Sequence, residues 1–174
     1  MKAYMTLSCK TGVFNTILDE PTINKVLEGL IKMDLSMKDV FLLFGPVDIL
    51  VKLHFKDLDE FINKWFKPIG AIKPQEPMIE KTQTLIVLSE GKLFTEEPYA
   101  FLFLNTQPRN LEQVQQELQS IPNVLSADTV FGPYDVICAV KAKDKEDLKR
   151  LVFQIQKEVP QIQGTVTAIV ASLH

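Results

Sequence analysis

Apolar positions along the chain switch between a period of two and a period of three to four, and the switches mark the elements. Ala3, Met5 and Leu7 alternate with Tyr4 and Thr6, which predicts a strand over Met1 to Ser8. A polar connection from Thr11 to Pro21 follows. Ile23, Val26, Leu27, Leu30 and Ile31 then share one helical stripe, with Thr22 placed as its N-cap. Val40 to Phe44 and Asp48 to Phe55 read as two strands joined by a Gly45-Pro46 turn. Asp57 and Glu60 form a capping pair for a helix that should bury Leu58, Phe61, Ile62, Trp65 and Phe66 and stop before Pro68. A loop with Pro68, Pro74 and Pro77 leads to a fourth strand, Thr82 to Leu88.

The same order then returns. Ser89 to Pro98 is a polar, acidic link in which Glu96-Glu97 reads as solvated. Tyr99 to Leu104 is a strand, Asn110 is placed to cap a helix bearing Leu111, Val114, Leu118 and Ile121, and Pro122-Asn123 ends that helix. Val124 to Phe131 and Asp135 to Ala142 are strands around a Gly132-Pro133 turn. Asp144 with Asp147 starts a helix carrying Leu148, Leu151, Val152 and Ile155, and Thr165 to Val170 closes the cycle. Phe44-Gly45-Pro46-Val47-Asp48 and Phe131-Gly132-Pro133-Tyr134-Asp135 lie half a chain apart, so one β-α-β-β-α-β module is written twice. The expected fold is α+β: two ferredoxin-like repeats, over 1–90 and 98–174 with a linker at 91–97. Ala100 to Leu104 and Leu85 to Leu88 are apolar at every position, which asks for cover on both faces. Helices cover one face; the other repeat's sheet would cover the second, giving a sheet-to-sheet pseudo-dimer of the dimeric α/β-barrel kind.

Composition narrows the function. The net charge is −3, so no general polyanion-binding surface is advertised and direct nucleic-acid binding is not expected. Cys9 and Cys138 form no metal spacing and read as free cytosolic thiols. With a strand expected from the first residue, no preceding DNA-reading module is expected. With no signal segment and no apolar run beyond strand length, a cytoplasmic location without membrane contact is expected.

Candidate chemistry is sparse. His54 and His174 are the only histidines, and no nucleophile–base pair, metal motif or phosphate loop is present, so no catalytic residue, metal or cofactor is expected. Asp48 and Asp135 stand apart, because each opens an apolar strand directly after a Gly-Pro turn. Each carboxylate either caps its turn by accepting backbone N–H bonds or lines a polar pocket. The Thr82/Thr84 and Thr165/Thr167 pairs either simply suit strands or present two hydroxyls to a small polar ligand.

Those residues carry a family resemblance. The second half, with Pro122-x-Val124, Gly132-x-Tyr134-Asp135, Pro160 and Thr165-x-Thr167, resembles the effector-binding domain of the Lrp/AsnC transcription regulators. The first half keeps Gly45-x-x-Asp48 and Thr82-x-Thr84 but has Val47 where an aromatic is frequent. The resemblance implies a stand-alone tandem form without a helix-turn-helix domain, in which one chain imitates a family dimer. It implies a small-molecule effector, an amino acid, held by Gly132, Tyr134, Asp135, Thr165 and Thr167, with a parallel set at Gly45, Asp48, Thr82 and Thr84. It also implies homo-oligomers and a partner regulator of the same family. Two other classes stay open: a small monooxygenase- or isomerase-like enzyme, and a structural assembly protein with a vestigial pocket. Mostly Val, Leu, Ile, Ala and Phe at inward strand positions favour binding over catalysis.

Overall fold

The computed structural model describes residues 1–9, 28–30, 32–33, 35–71 and 79–171. The expected first helix and its Thr22 cap lie outside them, apart from a helical segment at 28–30, and so do the loop at 72–78 and His174. The chain divides into two compact units, Met1–Leu42 with Val47–Thr84, and Leu43–Pro46 with Leu85–His174.

In the first unit, β1 (Lys2–Cys9) pairs antiparallel with β3 (Ile49–His54), which pairs antiparallel with β2 (Val40–Phe44). Alternation sorts the side chains as the sequence requires. Ala3, Met5, Leu7, Ile49, Val51 and Leu53 share one buried face. In line with them, the Phe55 ring meets Phe61 of the following helix with centroids 5.1 Å apart, so this is the helix-covered face. Lys2, Tyr4, Thr6 and Lys52 occupy the other.

The helix α1 (58–71) starts as expected: the Glu60 N–H donates to Asp57 Oδ1 at 2.9 Å and the Lys56 N–H to Glu60 Oε2 at 2.7 Å. It does not stop before Pro68. Phe61–Phe66 widens into a π segment, the Lys67 N–H donates to the Ile62 carbonyl five residues back, and the helix continues through Lys67–Ala71. A wider turn carries the chain past a proline, which has no N–H to give and crowds the preceding turn. The altered winding buries Phe61, Trp65 and Ile69, four residues apart, and turns Leu58 and Phe66 outward at 53% and 50% exposure, against expectation.

The second unit holds β5 (Ala100–Thr106), α2 (Leu111–Ser120), β6 (Val124–Phe131), β7 (Val136–Val140), α3 (Lys145–Glu158) and β8 (Ile162–Ala171). The strands lie in the order β8-β5-β7-β6, all antiparallel, which is the ferredoxin-like arrangement. β4 (Ile79–Ser89) adds to β6 through Ile86, Val87 and Ser89. Leu102, Leu104, Val136, Cys138 and Val140 pack beneath Val114 and Leu118 of α2 and Leu151 and Ile155 of α3. Burying each such side chain contributes about 1.5–3 kcal/mol. Both faces of β5 are buried, as its unbroken apolar run demands. β4 departs from that expectation: Leu88 is 61% exposed, and so is most of Phe131 on β6, which pairs with Ile86 at this margin.

The two helices start differently. Asp144 caps α3, with the Asp147 N–H donating to its Oδ1 at 2.8 Å while the Lys143 N–H donates to Asp147 Oδ2 at 3.0 Å. Asn110 does not cap α2. Pro108 begins a 3-10 turn over Pro108–Asn110, which places Asn110 already in the helical region with no side-chain bond to the helix.

Candidate functional site

The site is built at the end of β5, where three loops meet. The Asp135 N–H donates to the Leu104 carbonyl at 2.9 Å, seating the turn after β6 against β5. Asp135 Oδ2 then accepts from the Thr106 N–H at 3.0 Å and from Asn105 Nδ2 at 3.3 Å. The carboxylate therefore caps the neighbouring strand rather than its own turn. A bulge between Asn105 and Thr106 turns that backbone N–H toward it. Thr106 faces the other way as well, its hydroxyl donating to the Gln161 carbonyl at 2.8 Å in the loop before β8. Asn105 Nδ2 also reaches the Pro133 carbonyl at 3.3 Å, so the whole Gly132–Asp135 turn is held.

Gly132 is exposed at the tip. Tyr134 is half-buried, its ring 5.1 Å from that of Phe103 and tilted by 40°. That contact puts Tyr134 on the sheet face that also carries Phe103, Asn105 and Gly164. Thr165 and Thr167 pair with Leu104 and Leu102, whose side chains enter the helix-covered core, so the two threonines lie on the opposite face from Tyr134. The structure thus brings Gly132, Tyr134 and Asp135 together and separates them from the threonine pair by the thickness of the sheet.

The parallel set is weaker. The Asp48 N–H donates to the Leu7 carbonyl at 3.1 Å, the same bond that Asp135 makes to Leu104. Val47 is buried where Tyr134 is half-exposed. Gly45 is a packing position: a Cβ there would stand 3.0 Å from Ala168 Cβ and 3.2 Å from the Thr167 carbonyl oxygen. Thr82 is exposed and Thr84 half-buried on β4.

Two residues escaped the sequence reading. Gln161 lies in a loop with no periodic signal, yet its side-chain oxygen is buried without a partner. Gly91, inside the presumed linker, lies so close to β6 that a Cβ would stand 2.4 Å from the Ala127 carbonyl oxygen. Its N–H donates to Asp128 Oδ1 at 2.6 Å. Gln115 bonds to Ser89 and Ala127, and Gln119 bonds to Lys92. The link is therefore fastened to α2 and β6 at 89–92, while Glu96 and Glu97 are exposed as expected and Glu96 pairs with Lys141 at the surface.

Buried polar groups occur on strand faces expected to be apolar, but several have structural partners. Asp128 is fully buried and receives the Gly91 N–H. Lys52 pairs with Asp39 at 2.7 Å, and the Lys2 ammonium lies 5.2 Å from the centre of the Tyr4 ring. Burial, reinforced by the charge of Asp128, pushes the Cys138 thiol well above its usual range, which suits a core side chain and not a nucleophile. Among the described residues no three His, Cys, Asp or Glu side chains are grouped to hold a metal ion, and no helix is long and apolar enough to cross a membrane.

Residues 99–173 match the Lrp/AsnC ligand binding domain. The match lies within the second half of the chain. The match covers the ring pair, the turn with Asp135 and the strand with Thr165 and Thr167. An uncharacterized HTH-type transcriptional regulator of Pyrococcus horikoshii is 30% identical over 77 residues, 44% of this chain and 49% of that protein. A regulator of the same description from Pyrococcus abyssi is 29% identical over 77 residues. The chain thus spans about half the length of the curated relatives it matches. Over 99% of its length the chain is similar in fold to the siroheme decarboxylase NirDL, with a TM-score of 0.63 at 9% identity and 71% of that chain covered. It is also similar to a mutant chlorite dismutase from Candidatus Nitrospira defluvii, with a TM-score of 0.58 at 13% identity over 99% of this chain and 90% of that one. At these identities the likeness is one of fold alone.

Proposed function

We propose that the protein is a non-enzymatic binder and sensor of a small molecule, an amino acid, at the Gly132–Asp135 turn of its ligand-binding domain. The observation that carries this is the family of residues 99–173. The turn geometry supports it, with an exposed glycine, a half-buried aromatic pair and a carboxylate oriented by Thr106 and Asn105. The structural partners of the buried Asp128 and the half-buried Lys52 weigh against reading these polar groups as catalytic. Calorimetric titration with each of the twenty amino acids tests the proposal. At least one should bind, and Asp135→Asn should weaken it about tenfold, about 1.4 kcal/mol. Absence of heat for all twenty would refute it.

Tandem construction belongs to the same proposal: two repeats standing in for a sheet-to-sheet dimer. It is supported by the duplicated Phe-Gly-Pro-x-Asp turn, by the matching bonds of Asp48 to Leu7 and Asp135 to Leu104, and by fold similarity along the whole chain. Further association of chains is expected, with a regulator of the same family as a candidate partner. Light scattering that gives a strict monomer at high micromolar concentration would remove the self-association.

A further inference from the structure

The two Gly-Pro turns share a backbone framework and differ in what a ligand would meet. The Asp48 N–H donates to the Leu7 carbonyl as the Asp135 N–H donates to that of Leu104, so the turns are seated alike against β1 and β5. With Leu7 standing for Leu104, Ser8 occupies the place of Asn105. Asn105 donates through Nδ2 to the Pro133 carbonyl and to Asp135 Oδ2, both at 3.3 Å, and so braces its turn and its carboxylate together. A serine has one O–H donor on a shorter stem and cannot brace both. Val47 stands where Tyr134 stands. The Tyr134 ring is half-buried, 5.1 Å from that of Phe103, whereas Val47 is 5% exposed and its side chain carries no polar atom. The side of Gly45 that a side chain would occupy is already filled. A Cβ there would lie 3.0 Å from Ala168 Cβ, 3.1 Å from Ala168 Cα and 3.2 Å from the Thr167 carbonyl oxygen. Two of these atoms are backbone of β8, so no rotamer change clears the space. Glycine at this turn serves close packing and not the approach of a ligand.

We infer that the chain has one ligand site, at the turn of the second repeat, and that the turn of the first repeat is closed to ligands, with Gly45 packed on β8. This rests on the small-molecule and tandem readings proposed above, and adds that only one of the two copies is a receptor.

The test is calorimetry on the full chain with each of the twenty amino acids, reading stoichiometry as well as affinity, with the variants Asp135→Asn, Asp48→Asn and Val47→Tyr. An amino acid that binds should do so once per chain. Asp135→Asn should weaken it about tenfold, while Asp48→Asn should leave it within about twofold. Val47→Tyr supplies the aromatic of the second turn but should add no second site; it should lower the melting temperature, because a ring does not fit the buried position of a valine. Should Val47→Tyr fail to fold, the wild-type stoichiometry and the Asp48→Asn affinity decide alone. Saturation at two per chain, a second site in Val47→Tyr, or a tenfold loss in Asp48→Asn would overturn the single site and leave the small-molecule reading standing. Binding that neither aspartate variant changes would overturn both the single site and its place at the second turn. No heat with any of the twenty would overturn the inference together with the reading beneath it.

Discussion

Three glycines predict a graded series, and Gly91 heads it. A Cβ there would lie 2.4 Å from the Ala127 carbonyl oxygen, 2.7 Å from the Ala127 nitrogen and 2.8 Å from Ser126 Oγ. Two of these atoms are backbone of β6, so a rotamer change cannot relieve the clash and the strap at 89–92 must lift. Lifting weakens the 2.6 Å bond from the Gly91 N–H to Asp128, a charge-assisted bond of about 1.5–3 kcal/mol to a carboxylate with no water around it. Overpacking against backbone adds about 1–3 kcal/mol. The stiffer unfolded chain returns about 0.4–1 kcal/mol. Gly91→Ala should therefore destabilise by about 2–5 kcal/mol, read as a fall in the denaturant midpoint at unchanged slope. Gly45→Ala faces contacts of 3.0–3.2 Å with Ala168 and the Thr167 carbonyl oxygen, longer than those at Gly91, so the strand must give by only a few tenths of an ångström and the loss should be roughly 1 kcal/mol. Gly164→Ala meets only ordinary contacts at 3.6 and 3.9 Å and should stay within about 0.5 kcal/mol of the wild type. If Gly91→Ala unfolds at the wild-type midpoint, the strap is not fastened to β6 and its bonds contribute nothing to stability.

Asp144→Ala should lose about 1 kcal/mol through loss of the bond its carboxylate accepts from the Asp147 N–H, measured by chemical denaturation, and a neutral result would show that α3 is held by packing alone. Cys138 gives a signed pH dependence. Its thiol stays protonated in the fold while the unfolded chain releases the proton above roughly pH 8.5, so stability should fall as pH rises past that point, by up to about 1.4 kcal/mol per unit. Cys138→Ala should flatten that slope in denaturation curves recorded from pH 8 to 10; an unchanged slope would assign it to other groups.

Local pattern was enough to read most of the elements that the structure describes. Period-two and period-four spacing reflects which side of one strand or helix meets the core, and that is decided within a few residues. The caps at Asp57 and Asp144 are local for the same reason, since donor and acceptor lie three residues apart. The duplicated turn and the motifs of the second half were likewise legible, and they carried the resemblance that the match over residues 99–173 supports. Where the sequence reading failed, a competing local device had intervened: the 3-10 turn begun by Pro108 displaced the Asn110 cap, and the π segment carried α1 through Pro68 and re-aimed Leu58 and Phe66.

The candidate site was only half legible, because its geometry depends on register between strands distant in sequence. Thr165 and Tyr134 look like partners in the motif, yet pairing of Thr165 with Leu104 and stacking of Tyr134 on Phe103 put them on opposite faces of the sheet. Asp135 was found as a residue, but its partner Thr106 lies 29 positions away, and its bond depends on a bulge that no periodicity announces. Gln161 and Gly91 sit in loops, where side chains follow no period. Their meaning is burial, a missing partner in one case and a missing Cβ in the other, and burial exists only once distant segments are brought together.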